Sequence, residues 1–199
     1  MRDVFQKIYE ENLWRSDESV SGRGSTMAQT EEIRRMLPVI FDEYDIRTVV
    51  DIPCGDYHWF QHIKFKKPIM YLGADIVPEL VERNKQYSTP DHTVQFLVMD
   101  ITRDKLPPAD VILCRDLLGH LSNGDVRKAL TNIKSSNAKY LLATTFPTHE
   151  TSGDIETGQW RPINLARMWG LGEPIEYIVE DCPEAGGEFA DKSLGLWQL

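Results

Sequence analysis

Thr48-Val49-Val50-Asp51-Ile52-Pro53-Cys54-Gly55-Asp56 is an apolar run that closes on a carboxylate and breaks into a glycine turn. A strand buried on both faces is written this way, as a nearly continuous apolar run instead of an alternation. The signature recurs. Residues 69–75, 94–99, Val111–Cys114 and Tyr140–Thr145 are further apolar runs of strand length. Helical patterns are predicted over residues 30–44, 55–63, 78–87 and 123–135, with Thr30 as a cap and Pro78 in a first turn. Strands alternating with helices predict a mostly parallel sheet covered on both faces, an α/β Rossmann-like fold. Residues 175–180 and 193–199 read as two strands joined by a turn-rich stretch with no helix between them. They predict an antiparallel C-terminal hairpin, which brings the sheet to seven strands.

Upstream, residues 3–14 read as an amphipathic helix with Val4, Phe5, Ile8 and Tyr9 on one face. The polar Ser19-Val20-Ser21-Gly22-Arg23-Gly24-Ser25-Thr26 follows as a loop, and Gly22 and Gly24 would let it close as a lid. With 199 residues, no repeat and no linker, the chain is expected to form one domain, residues 1–29 being its N-terminal helix and lid segment.

Composition narrows the class of partner. Apolar residues make up 41% and charged residues 27%, and no run approaches the roughly 18 apolar residues of a membrane span. The charged start MRDVFQKIYEENLW lacks a signal peptide's apolar region, so the cytoplasm is the expected location. Cys54, Cys114 and Cys182 form no CxxC pair, which predicts buried thiols and no metal site. A net charge of −9 without a basic patch points away from nucleic acid and towards a small-molecule acceptor. Oligomeric state is not legible.

In open parallel sheets, ligands bind beyond the carboxyl ends of the strands. Those ends carry Asp51, Asp75, Asp100 and the pair Arg115-Asp116. A carboxylate ending the second strand can accept both hydroxyls of a ribose, and one ending the third can hold an adenine amine. Gly55 would let the backbone pass close to the ligand.

The motifs Val49–Asp56, Tyr71–Ile76, Phe96–Ile101 and Asp110–Asp116 together resemble the class I S-adenosylmethionine-dependent methyltransferases over roughly residues 30–199. The resemblance implies S-adenosyl-L-methionine as cofactor. It implies a cofactor site at Asp51, Pro53, Gly55, Asp75, Ile76, Asp100, Ile101 and Arg115. Arg15 or Arg23 would reach the cofactor's carboxylate. One departure is visible: where that family's first motif has three glycines at alternating positions, this chain has Pro53, Gly55 and Tyr57. The missing glycines count against a nicotinamide-dependent reductase, whose pyrophosphate needs them more acutely. Trp14-Arg15, the 19–25 stretch and Asp154-Ile155-Glu156-Thr157-Gly158-Gln159-Trp160-Arg161-Pro162 are similar to a bacterial subfamily found among surface-polysaccharide genes.

The implied activity is methyl transfer to an oxygen or nitrogen of a small polar, sugar-like acceptor. Asp116 and His120, four residues apart, would share one face of a helical turn and serve as base. The alternative reading is a helix cap and a packed histidine. Arg115 would bind an anionic acceptor or pair with Asp116. Trp160, Arg161 and Asn164 offer an aromatic wall and polar arms for the acceptor, or a plug over the sheet end. His149 with Glu150 is a reserve base pair, and Trp59 belongs to the core. A non-catalytic cofactor-binding subunit remains the rival from another class.

Overall fold

The computed structural model describes residues 1–151, 153–167, 170–182 and 184–199. Seven strands form one sheet: β1 (Thr48–Asp51), β2 (Met70–Asp75), β3 (Val94–Val98), β4 (Val111–Cys114), β5 (Tyr140–Thr145), β6 (Glu176–Val179) and β7 (Ser193–Gln198). Their spatial order is β3-β2-β1-β4-β5-β7-β6. β1 to β5 run parallel, while β7 pairs antiparallel with both β5 and β6. The predicted sheet and hairpin are therefore present, with the last strand slotted in beside β5.

Period-two alternation sends successive side chains to opposite layers. Val50, Ile112 and Leu141 face a core completed by Phe5 and Ile8 of α1 (Arg2–Glu10) and by Val126, Leu130 and Ile133 of α4 (Asn123–Lys134). Val49, Val111 and Leu142 face the other core, closed by Ile33, Leu37, Ile40 and Phe41 of α2 (Glu31–Glu43). α3 (Pro78–Asn84) follows β2, with Pro78 in its first turn as expected. Ser122 Oγ caps α4 by accepting from Asp125 N at 3.2 Å. Thr30 does not cap α2, because its hydroxyl donates to Thr26 O at 2.8 Å.

The helix predicted over residues 55–63 is absent. Tyr57 sits at φ +57, outside the right-handed helical region, and only Phe60–His62 winds into a 3-10 turn. The buried rings of Tyr57, Trp59 and Phe60 join the α2-side core directly, so that core is packed without a helix there. Among the described residues, no helix is long and apolar enough to cross a membrane.

Candidate functional site

β1 lies between β2 and β4, where the direction of strand succession reverses, and a cavity opens at the carboxyl ends of these strands. Asp51, Pro53, Gly55, Asp75, Ile76, Ile101 and Arg115, all expected cofactor residues, line it together with Asp116. Gly55, at φ +55, donates its N–H to Asp75 Oδ2 at 3.2 Å and accepts from Asn84 Nδ2 at 2.7 Å. A Cβ at this position would collide with Ser21 Oγ, so the turn needs glycine for space as well as conformation. Tyr57, which replaces a family glycine, holds the left-handed conformation itself. Its ring lies 4.9 Å from Tyr71 and 5.1 Å from Phe96, in the core and off the cavity wall.

The two carboxylates differ in what they have left to offer. Burial pushes Asp51 up to about 7, against the hydroxyl of Tyr71, which donates to its Oδ2 at 2.6 Å. Burial likewise raises Asp75 to about 6, opposed by the N–H groups of Val77 and Gly55. Each Asp75 oxygen takes one of those N–H groups, so each keeps a lone pair for a ligand hydroxyl. Ile76, Met99 and Ile101 supply apolar walls next to it. Asp100 is placed differently. Its Oδ1 accepts from Thr102 N at 2.9 Å and Thr102 Oγ1 at 2.6 Å, and it does not line the cavity. Asp100 thus caps the turn after β3 through its Oδ1.

The predicted lid is an ordered strap over this cavity. Asp56 latches it, accepting from Ser19 Oγ and Val20 N at 3.0 Å each and from Ser21 Oγ at 3.2 Å. Arg115 pins the far end by donating to Gly24 O at 2.7 Å. In the sequence Asp56 reads only as part of the turn, and the serine pair at 19 and 21 is the signal of its second role.

Beyond the strap lies a second, more open cleft that shares Trp14, Ser21 and Asp116 with the first cavity. His120, Trp160, Phe146, Phe189, Arg23 and Lys192 also line it. Asp116 has φ +54 and is not helical; the 3-10 turn Leu118–His120 starts after it, yet both side chains reach the cleft. Burial is overcome here by Arg115 and Lys192, which hold Asp116 well below the usual carboxylate range. Lys192 Nζ donates to Asp116 Oδ2 at 2.7 Å. A carboxylate held this firmly ionised is a poor proton acceptor.

His120 is better suited. Its Nδ1 donates to Gln159 O at 3.0 Å, since a carbonyl only accepts. Burial lowers its pKa despite the Asp116 charge, so the ring is neutral near pH 7 and Nε2 carries the lone pair.

Several other expected site residues serve the framework instead. Arg115 is buried and bidentate to Glu180, with Nη2 to Oε2 at 2.6 Å and Nε to Oε1 at 3.3 Å, so it pairs within the protein besides walling the first cavity. Arg161 is only 2% exposed and donates to Leu121 O at 3.0 Å and Asn123 Oδ1 at 2.8 Å. Asn164, at 1%, donates to Pro147 O at 2.8 Å. His149 pairs with Asp191 at 3.0 Å and is not on the cleft wall, so no base pair with Glu150 forms there. Arg15 is exposed and lines neither cavity, while Arg23 lines the second cleft instead of the first. Trp160 lines the second cleft, 44% exposed and edge-on to Phe189 at 4.9 Å. Lys192 and Glu180 were missed, for their partners lie far away in sequence.

Residues 49–138 match the family model described as a methyltransferase domain. No curated protein matches the chain. Among solved structures, the methyltransferase domain of a bacterial Hen1 is similar at 15% identity and TM-score 0.63, covering 86% of this chain and 98% of that one. Magnesium protoporphyrin IX methyltransferase from Synechocystis, solved with S-adenosylhomocysteine, is similar at 14% identity and TM-score 0.54, covering 74% of this chain and 71% of that one. The N-methyltransferase NodS from Bradyrhizobium japonicum, with the same ligand, is similar at 16% and 0.55, covering 71% and 72%.

Proposed function

We propose that this chain is an S-adenosylmethionine-dependent methyltransferase, as the methyltransferase-domain match at residues 49–138 supports, and that it methylates an oxygen or nitrogen of a small polar acceptor. One observation carries the reading: the cofactor cavity and the second cleft share a wall of Trp14, Ser21 and Asp116, so donor and acceptor would meet there. The whole chain acts as one domain in the cytoplasm, with residues 1–29 as helix and lid.

The residues present fit the cofactor. Asp75 retains acceptor capacity for a ribose diol, and Ile76, Met99 and Ile101 suit an adenine face. When bound, S-adenosylmethionine supplies a sulfonium methyl whose departure leaves a neutral thioether. The protein's work is alignment and exclusion of water. Trp14 and the strap wall off the junction, and Trp160 with Phe189 provides an aromatic face of the kind a sugar ring packs on. His120 Nε2 accepts the acceptor's proton as it is methylated, and Gln159 O fixes the tautomer that leaves that nitrogen free. Asp116 stays ionised and favours the imidazolium so formed.

The test is S-adenosylhomocysteine release from S-adenosylmethionine across a panel of hydroxyl and amine acceptors, sugars included. Turnover on a polar acceptor that falls with His120→Ala at unchanged cofactor affinity supports the reading. Cofactor binding without turnover on any member, together with a stable protein partner that acquires activity, overturns it.

A further inference from the structure

We propose that the acceptor carries an anionic group, a carboxylate or a phosphate, received between Lys192 and Arg23; this rests on the second cleft being the acceptor site. Lys192 and Arg23 are the two basic side chains on its described wall. The acid on that wall, Asp116, is already satisfied: Lys192 and Arg115 lie 2.7 and 3.2 Å from its Oδ2, and Thr144 Oγ1 donates to its Oδ1 at 3.3 Å. Arg115 and Lys192 against Asp116 and Glu180 sum to zero charge, so this buried group neither repels nor attracts on balance. Arg23 stands outside that balance.

No ion pair engages Arg23 among the described residues. Its Nε donates to Arg15 O at 3.3 Å, which leaves both terminal nitrogens uncommitted. In a chain of net charge −9, an uncompensated guanidinium on the cleft wall runs against the overall charge. Lys192 adds a donor, since its ammonium has three N–H groups and contacts Asp116 at 2.7 Å and Glu180 at 3.3 Å.

The strap geometry holds the pair together. A Cβ on residue 24 would come within 3.1 Å of Asp116 Oδ2 and 3.4 Å of Lys192 Nζ, so glycine lets the strap backbone rest on that ion pair. Arg115 secures the same glycine through its carbonyl. Arg23 precedes this glycine on the same cleft wall, so an anion entering there meets its uncommitted guanidinium first and the remaining N–H of Lys192 second. The aromatic wall of Trp160 and Phe189 would take the uncharged body of the acceptor.

Calorimetric titration of the S-adenosylhomocysteine-saturated protein tests this on two scaffolds. The first set is glucuronate and glucose 6-phosphate against glucose; the second is 4-hydroxybenzoate against 4-hydroxybenzyl alcohol. An anionic member that binds at least tenfold tighter than its neutral counterpart is expected. Comparison of glucuronate with glucose 6-phosphate separates carboxylate from phosphate. Arg23→Gln, at an exposed position, should remove most of the preference with an unchanged melting temperature, and Lys192→Met should remove it where that variant folds. Equal affinities within both sets, no binding by any anionic probe, or a preference that survives Arg23→Gln would overturn the proposal. Failure of the underlying reading looks different: probes that displace S-adenosylhomocysteine would occupy the cofactor cavity, not the cleft.

Discussion

Replacing Asp56 with alanine removes the acceptor for three strap donors at once. Ser19 Oγ, Val20 N and Ser21 Oγ stand at 3.0, 3.0 and 3.2 Å from its carboxylate. A hydrogen bond to a charged group contributes about 1.5–3 kcal/mol. Bonds to one group are not additive, and this carboxylate is half-buried, so the combined loss is set at about 2–3 kcal/mol. At 1.4 kcal/mol per decade, strap closure weakens roughly 30- to 150-fold. The strap walls the cofactor cavity through Val20, Ser21 and Ser25, so the loss reaches ligand binding. The Kd for S-adenosylhomocysteine, read by calorimetry, should rise tenfold or more, and trypsin should cut after Arg15 and Arg23 faster. Asp56→Asn keeps one acceptor oxygen and should fall between. Wild-type affinity together with a wild-type cleavage rate in Asp56→Ala would refute the latch.

Asp75→Ala should weaken S-adenosylhomocysteine binding at least 100-fold; it also strands the N–H groups of Gly55 and Val77, so a stability loss of about 1–3 kcal/mol in urea unfolding is expected alongside. His120→Ala should cut kcat about 10²- to 10³-fold at unchanged cofactor affinity. In the wild type, because burial lowers the pKa of His120, the acidic limb of kcat should fall below pH 6.5, and a limb above 7 would contradict a neutral base. Asp51 retains its proton up to about 7 in the fold but releases it near 4 when unfolded. The fold therefore binds more protons between those values, and stability should decline as pH rises from 4 to 7. Asp51→Asn, compared with wild type in urea at pH 5 and pH 8, should flatten that decline.

The sheet is legible because its strands are short, largely apolar and regularly punctuated, so Val111–Cys114 and Tyr140–Thr145 stand in the structure where the sequence places them. The cavity residues at the strand ends followed from topology, with Asp75 and Gly55 in contact as the turn demands. Residues 55–63 misled because the apolar pattern of Trp59 and Phe60 suits an irregular core segment as well as a helix. Arg161 and Asn164 misled for a related reason. Irregular backbone leaves carbonyls without ladder partners, and polar side chains are drawn to Leu121 O and Pro147 O before any ligand arrives. Contacts such as Lys192 to Asp116, 76 residues apart, leave no local trace in a sequence.

The wall common to both cavities sets a timetable. Trp14 and Ser21 stand on the wall of both cavities, so a movement of this segment reshapes the two together. While that segment stands open, the second berth is unfinished. On the proposed function, one partition serving two rooms predicts ordered turnover, donor before acceptor, and random-order product-inhibition patterns would contradict it.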